Sequence, residues 1–144
     1  MSTTYLVGVD GSDHALKAAL YAAEQAKFAG ASLVVAHAID WSGFDIMGPE
    51  ELAERHKIKE AELERAQAKV IQPVLDALAD MPLEVSTDLH HGHPAKTLLD
   101  LAEQHGASHI YLGRNGHTRL AVALLGSTAH SIIQASPVPV TVVP

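Results

Sequence analysis

Apolar residues recur along the 144-residue chain in two alternating rhythms. Uninterrupted runs at Tyr5 to Asp10, Ser32 to Ile39, His109 to Leu112 and Val138 to Val143 read as strands buried on both faces. Leu83 to Leu89 alternates apolar and polar positions, which predicts a half-exposed strand at a sheet edge. Between these runs the spacing changes to three and four. Ala15, Leu16, Ala19, Leu20, Ala23 and Ala26 predict the core face of a helix reaching about Ala29, capped by Ser12 or Asp13 and ended by Gly30. Pro49 opens a long charged helix reaching about Ala79. Its core face is Leu52, Ile58, Leu63, Ala66, Val70, Val74, Leu75 and Leu78, with a kink or break expected at Pro73. Shorter helices are predicted from Pro94 to about His105 and from about Ser127 to Gln134.

Strands and helices therefore alternate with short links. That pattern predicts one domain over residues 1–144, an α/β fold with a doubly wound, Rossmann-like parallel sheet and helices on both faces, because each crossover is right-handed. Ligands of such sheets bind beyond the carboxyl ends of the strands, where the strand order reverses. Asp10 ends the first strand and Gly113 the fourth. If those strands are neighbours, both residues line one crevice.

Composition narrows the possible partners. A hydrophobic content of 47% with 19% charged residues fits a globular chain with a real core. The net charge of −7 argues against nonspecific binding of DNA or RNA, which depends on Lys and Arg neutralising phosphates. No apolar run approaches the ~18 residues of a membrane span, and Met1 to Tyr5 does not resemble a secretion signal, so a cytoplasmic location without membrane insertion is expected. With zero cysteines, disulfides, iron–sulfur clusters and zinc–thiolate sites are excluded.

Candidate chemistry concentrates at Gly113, Gly116, Gly126 and Ser127. Glycines allow close backbone approach and positive φ. A Gly-Ser pair opening a helix offers free N–H groups, a hydroxyl and the positive end of a dipole, which suits a phosphate. Equally, such glycines serve as turns between a strand and a helix. No lysine-bearing phosphate loop of the G-x4-G-K-[S/T] type occurs. Lys17, Lys96, Arg114 and Arg119 are the basic candidates near the crevice. Phosphoryl transfer needs dense positive charge, so the pattern suits binding better than turnover.

Gly113, Gly116, Gly126 and Ser127 satisfy the spacing G-x2-G-x9-G-[S/T], in order with Val9-Asp10-Gly11-Ser12, His37-Ala38-Ile39-Asp40, Gly92-His93-Pro94-Ala95 and the terminal Val138 to Val143. On these residues the chain resembles the ATP-binding branch of the universal stress protein A family over essentially its full length. The resemblance implies a five-stranded sheet ordered 3-2-1-4-5 and ATP as ligand, with Mg2+ held mainly by the phosphates. It implies a cofactor-binding set of Val9, Asp10, Gly11, Ser12, Ala38, Leu112, Gly113, Arg114, Gly116, Gly126, Ser127 and Thr128. Asp10 would hold the ribose or sit beside the phosphates, and Ala38 would contact adenine. Leu112 and Gly113 would lie beneath the nucleotide, Gly116 would leave room for the phosphates, and Gly126 with Ser127 would donate to them. Ala129 stands where the family often has another Ser or Thr, and His130 is close enough in sequence to compensate. The family is typically homodimeric, and pairing of the apolar edge at residues 138–143 with its twofold copy would cover an otherwise exposed strand.

The expected function is an ATP-binding regulatory protein that signals nucleotide state to a partner protein through loop order or oligomerisation. Two alternatives stand beside it: a slow ATPase or nucleotidyl-transferring enzyme, and a nucleotide-free dimeric interaction module. For the enzyme, Asp10 is the candidate general base, though ribose binding or turn capping is the favoured role. His90, Gly92 and His93 spell H-x-G-H, a nucleotidyltransferase signature, but on a turn after the edge strand and distant from Gly113. His90, His91 and His93 show no evident carboxylate partner for a metal, and His37 reads as a satisfied core residue.

Overall fold

The computed structural model describes residues 2–40, 49–116 and 125–144, and the side chains of residues 49–53 lie outside the description. The expectations placed on Leu52 and Arg119 therefore fall outside the described residues. The strands are β1 (Thr4–Gly8), β2 (Ser32–Ile39), β3 (Val85–His91), β4 (His109–Gly113) and β5 (Val140–Val143). The helices are α1 (Asp13–Ala29), α2 (Pro49–Ala66), α3 (Gln72–Leu78), α4 (Pro94–Gln104) and α5 (Ser127–Ala135), with a π-helical turn Gln67–Ile71 joining α2 to α3. All strand pairs are parallel and the order is β3-β2-β1-β4-β5. The expected doubly wound fold and strand order are thus observed.

Alternation along each strand separates two apolar layers. Val7, Leu33, Val35 and Tyr111 face α1 and α3, whereas Leu6, Val34, Ile110 and Leu112 face α4 and α5. Helix α1 meets the sheet through Ala15, Ala18, Ala19, Ala22, Ala23 and Ala26, each at most 4% exposed. The apolar spacing predicts Leu20 on that face, but Leu20 is 39% exposed. Small side chains let the helix axis approach the strands, and the larger Leu20 and Tyr21 are left at its flank.

The break expected at Pro73 takes a specific form. Proline cannot donate to the carbonyl four residues back. The π-helical turn at Gln67–Ile71 ends two residues before it. This turn inserts one residue into the helical phase. Ala66 is therefore followed on the buried face by Ile71, Val74 and Leu78, a spacing of five and then of three and four. Ile71, fully buried, is absent from the face that uniform α-periodicity predicts, and Ile58 on that face is 44% exposed.

Strand β3 lies at the sheet edge, as its polarity predicts, but runs two residues later than expected. His90 and His91 belong to it, paired with Ala38 and Ile39. Both imidazoles have carboxylate partners that the sequence does not reveal: His90 with Asp88 at 2.9 Å and His91 with Glu62 at 3.1 Å. At the other edge, β5 starts at Val140 rather than Val138 because Pro139 has no N–H to donate; its carbonyl accepts from Ile110 at 3.0 Å.

Candidate functional site

Strand β1 sits between β2 and β4, so the chain leaves it in one direction toward β2 and reaches β4 by the other branch. Crossovers on opposite faces open a crevice at this point, beyond the carboxyl ends of the strands. A cavity of about 430 Å3 occupies it, a size suited to a small ligand. Its wall comes from Gly8 at the end of β1 with Val9 and Asp10 after it, and from His37 to Ile39 at the end of β2 with Asp40 after it. Pro94 and Leu98 of α4, Leu112 to Gly116, and Gly126 to Ala129 at the start of α5 complete it.

The turn after β1 is built around Asp10. Gly11 takes φ 85°, a left-handed conformation that favours glycine. Asp10 Oδ1 accepts from the Ser12 backbone N–H at 3.0 Å and from the Ser12 hydroxyl at 2.5 Å. The Ser12 hydroxyl oxygen in turn accepts from Ala15 N–H at 3.2 Å, capping α1. Such a cap contributes about 1 kcal/mol. Gly11 and Ser12, both in the expected binding set, do not line the cavity and instead hold Asp10 in place.

The glycines after β4 serve close approach. Among the described residues none of Gly113, Gly116 and Gly126 has positive φ. A Cβ on Gly113 would lie 2.8 Å from the His14 backbone carbonyl of α1. One on Gly116 would lie 2.5 Å from Asp10 Oδ2, and one on Gly126 3.2 Å from the Arg114 carbonyl. A side chain at Gly116 would therefore meet the Asp10 carboxylate. Gly126 N–H donates to the Arg114 carbonyl at 2.8 Å, and Arg114 N–H donates to the Val143 carbonyl at 2.8 Å. These two bonds fix the start of α5 against the ends of β4 and β5.

Ser127 and Thr128 begin α5, whose first N–H groups lie at the positive end of the helix dipole. Asp40, the residue after β2, and the apolar Ala38, Ile39, Pro94, Leu98 and Leu112 line the same cavity. Arg114 is the only Lys or Arg lining the cavity among the described residues. Lys96 lies instead on α4 in a 2.8 Å pair with Asp100, whose hydrogen bond and charge raise its pKa above the usual lysine value.

Ten of the twelve expected binding residues meet at this cavity: Val9, Asp10, Ala38, Leu112, Gly113, Arg114, Gly116, Gly126, Ser127 and Thr128. The expected binding set leaves out His37, Asp40, Pro94 and Leu98, of which only Leu98 lies outside the motif stretches. His37 is more than a core residue: it lines the cavity, and its Nδ1 lies 2.7 Å from the Val9 carbonyl. A carbonyl only accepts, so Nδ1 carries the hydrogen. Pro94, the first residue of α4, lines the same cavity as Gly113, whereas His90, Gly92 and His93 do not. His130 does not line the cavity; its imidazole lies 3.1 Å from the Gln134 amide along α5. No cluster suited to a metal occurs among the described residues, and no described helix is long and apolar enough to cross a membrane.

The family model that describes the universal stress protein family matches residues 1–144. A universal stress protein of Thermus aquaticus is 34% identical over 147 residues, covering 99% of each chain. Among solved structures, universal stress protein UspA from Lactobacillus plantarum superposes with a TM-score of 0.84 at 26% identity, covering 99% of this chain and 97% of its own. A universal stress protein solved in complex with cAMP superposes with a TM-score of 0.63 at 26% identity, covering 99% of this chain and 96% of its own.

Proposed function

The chain belongs to the universal stress protein family, and on that premise we propose that it is an ATP-binding regulatory protein whose nucleotide state alters its shape or its association with a partner protein. The observation that carries this reading is the cavity at the switch point. It joins apolar wall residues to a helix N-terminus bearing Ser127 and Thr128. Binding of cAMP by a structural neighbour supports a nucleotide as the ligand class.

The residues fit such a ligand. The first-turn N–H groups of α5, the Ser127 and Thr128 hydroxyls and Arg114 would take the phosphates, while Ala38, Leu98 and Leu112 would flank the base. Asp10, Asp40 and Arg114 leave the lining with one more negative than positive formal charge. A divalent cation such as Mg2+ on the phosphates would offset the mismatch with a triphosphate. Binding is favoured over hydrolysis because Asp10 Oδ1 already accepts two hydrogen bonds from Ser12, which engages the lone pairs a general base needs.

Association would use β5. Its 139, 141 and 143 positions face β4, which leaves Val140 and Val142 N–H and C=O groups on the outer edge. A twofold copy pairing there would cover that edge. The Arg114 peptide, bonded to both Gly126 and Val143, supplies a physical link between the α5 N-terminus and β5.

Calorimetry and thermal melting with ATP, AMP and buffer test the proposal. At 100 times Kd, ATP adds about 2.7 kcal/mol, a melting shift on the order of 5–10 °C for a chain of this size. An unchanged melting temperature with every adenine nucleotide leaves the dimeric interaction module as the better reading. Steady ADP or AMP release that stops in Asp10→Ala would favour the enzyme.

A further inference from the structure

Strand β3 leaves one edge of the sheet open. Leu33 N–H donates to the Glu84 carbonyl at 2.9 Å and Gly92 N–H to the Ile39 carbonyl at 2.9 Å, one at each end of the β2–β3 ladder. Alternate residues of a parallel ladder bond inward, so Ser86, Asp88 and His90 turn their backbone groups to β2. Val85, Thr87 and Leu89 turn theirs outward, and among the described residues nothing bonds those groups. Neither proline nor lysine guards Val85–His91, and its pairing with β2 runs without a bulge. An open groove of about 730 Å3 adjoins this edge. Leu63 and Glu64 of α2, Gln67 and Ala68 of the π-helical turn, and Thr87 to Leu89 line it.

We propose that this edge docks an extended segment of another protein in which apolar and basic residues alternate, added to the sheet beside β3. The groove shares no lining residue with the cavity at the switch point, and docking there needs no bound nucleotide. Main-chain bonds to Thr87 and Leu89 supply affinity, and the flanking side chains supply selectivity. Side chains of an added strand alternate between the two faces of the sheet. On one face lies Leu89, packed on the α1 and α3 layer, with α2 held over the same face by the pair of His91 and Glu62. There Leu63 and Ala68 offer apolar contact. On the other face lies Asp88, bonded to His90 and to His105 after α4. Glu64 and Asp88 give the groove two carboxylates, and among the described residues no Lys or Arg lines it. A twofold copy of this chain pairing through β3 would bring the same acidic residues together. Charge therefore selects a basic partner over a second copy.

The test titrates the full, isotope-labelled chain with a blocked peptide alternating valine and lysine, in the absence of nucleotide. One control peptide alternates valine and glutamate, and another keeps the lysines but has proline at its central positions. The valine–lysine peptide should bind, slow amide exchange at Thr87 and Leu89, and lose affinity as salt rises. Thr87→Pro deletes one outward N–H, leaves the bonds to β2 in place, and should weaken binding roughly tenfold. Glu64→Lys changes an exposed side chain and should weaken binding roughly fivefold, with an unchanged melting temperature of the peptide-free protein. Absence of binding overturns the proposal, as does equal affinity for the glutamate peptide or for the proline-bearing one. Unchanged affinity in Glu64→Lys overturns it as well. Slowed exchange at the same amides with rising protein concentration and no peptide would also overturn it, by giving the edge to a second copy of the chain.

Discussion

Gly116 and the Asp10 carboxylate claim the same space: a Cβ on Gly116 would lie 2.5 Å from Asp10 Oδ2. Asp10 cannot simply swing away, because its other oxygen holds the Ser12 N–H and hydroxyl at the start of α1. Gly116→Val should therefore displace the turn after β1, weaken ATP binding at least tenfold and cost about 1–3 kcal/mol of stability. Asp10→Ala in the same chain removes the collision. A double-mutant cycle by urea denaturation should show a coupling of about 0.5–3 kcal/mol. Additive stabilities would mean the two residues do not compete for space.

Gly113 meets backbone instead of a side chain. Its missing Cβ faces the His14 carbonyl at 2.8 Å, and helix α1 cannot yield there without leaving the sheet. Gly113→Ala should lose about 1–3 kcal/mol with or without ATP. Urea midpoints measured in both conditions check this. A variant as stable as the parent would show that α1 has slack at its first turn.

His109 makes the β4–β5 contact sensitive to acid. Its Nε2 lies 2.6 Å from the Thr141 hydroxyl, and burial lowers its pKa from 6.5. The unfolded chain then binds a proton that the folded chain resists. This contribution to stability is complete above about pH 6.5 and is lost as the pH falls toward the folded pKa. In His109→Gln, the loss of stability between pH 7.5 and about pH 5 should be smaller than in the parent. Tyr111, stacked on His109, behaves oppositely. Burial first, then Tyr5 and Tyr21, push its pKa up to about 12, so its contribution is present below pH 10 and lost between 10 and 12. Tyr111→Phe should flatten that alkaline limb in a urea series. Parallel pH profiles for variant and parent would exclude either residue as the source.

Val142 faces away from β4, so Val142→Pro removes an outer N–H while leaving the inner ladder donors in place. Sedimentation should then show a dimer for the parent and a monomer for the variant, with the fold retained by circular dichroism. If ATP tightens the parent's association, association must tighten ATP binding by the same factor. A variant that remains dimeric would assign the interface to another surface.

The fold is legible in the sequence wherever periodicity is unbroken. The four buried runs and the alternating Val85 to Leu89 segment all appear as strands. Boundaries shift where a residue's neighbours decide, as at His90 and His91, whose polarity conceals pairing with Ala38 and Ile39. Ile71 was hidden because a one-residue change of helical phase has no compositional signature beyond the nearby Pro73. In the site, glycine spacing marks the phosphate side of the cavity. His37 on β2 and Pro94 and Leu98 on α4 are far from the glycines in the chain and reach the cavity only through the sheet. Asp40 reaches the cavity as the residue that follows β2.

The alanine face of α1 has a consequence for how this domain can change over time. Ala15, Ala18, Ala19, Ala22, Ala23 and Ala26 have almost no side chain to trim, so the cavity-forming substitutions that usually damage a core have little to remove here. Enlargement is the damaging direction, since each added methylene must lift the helix from the strands that position Asp10. Selection on this layer therefore acts as a ceiling on volume, and drift along α1 is confined to exchanges among the smallest residues and to its outer face.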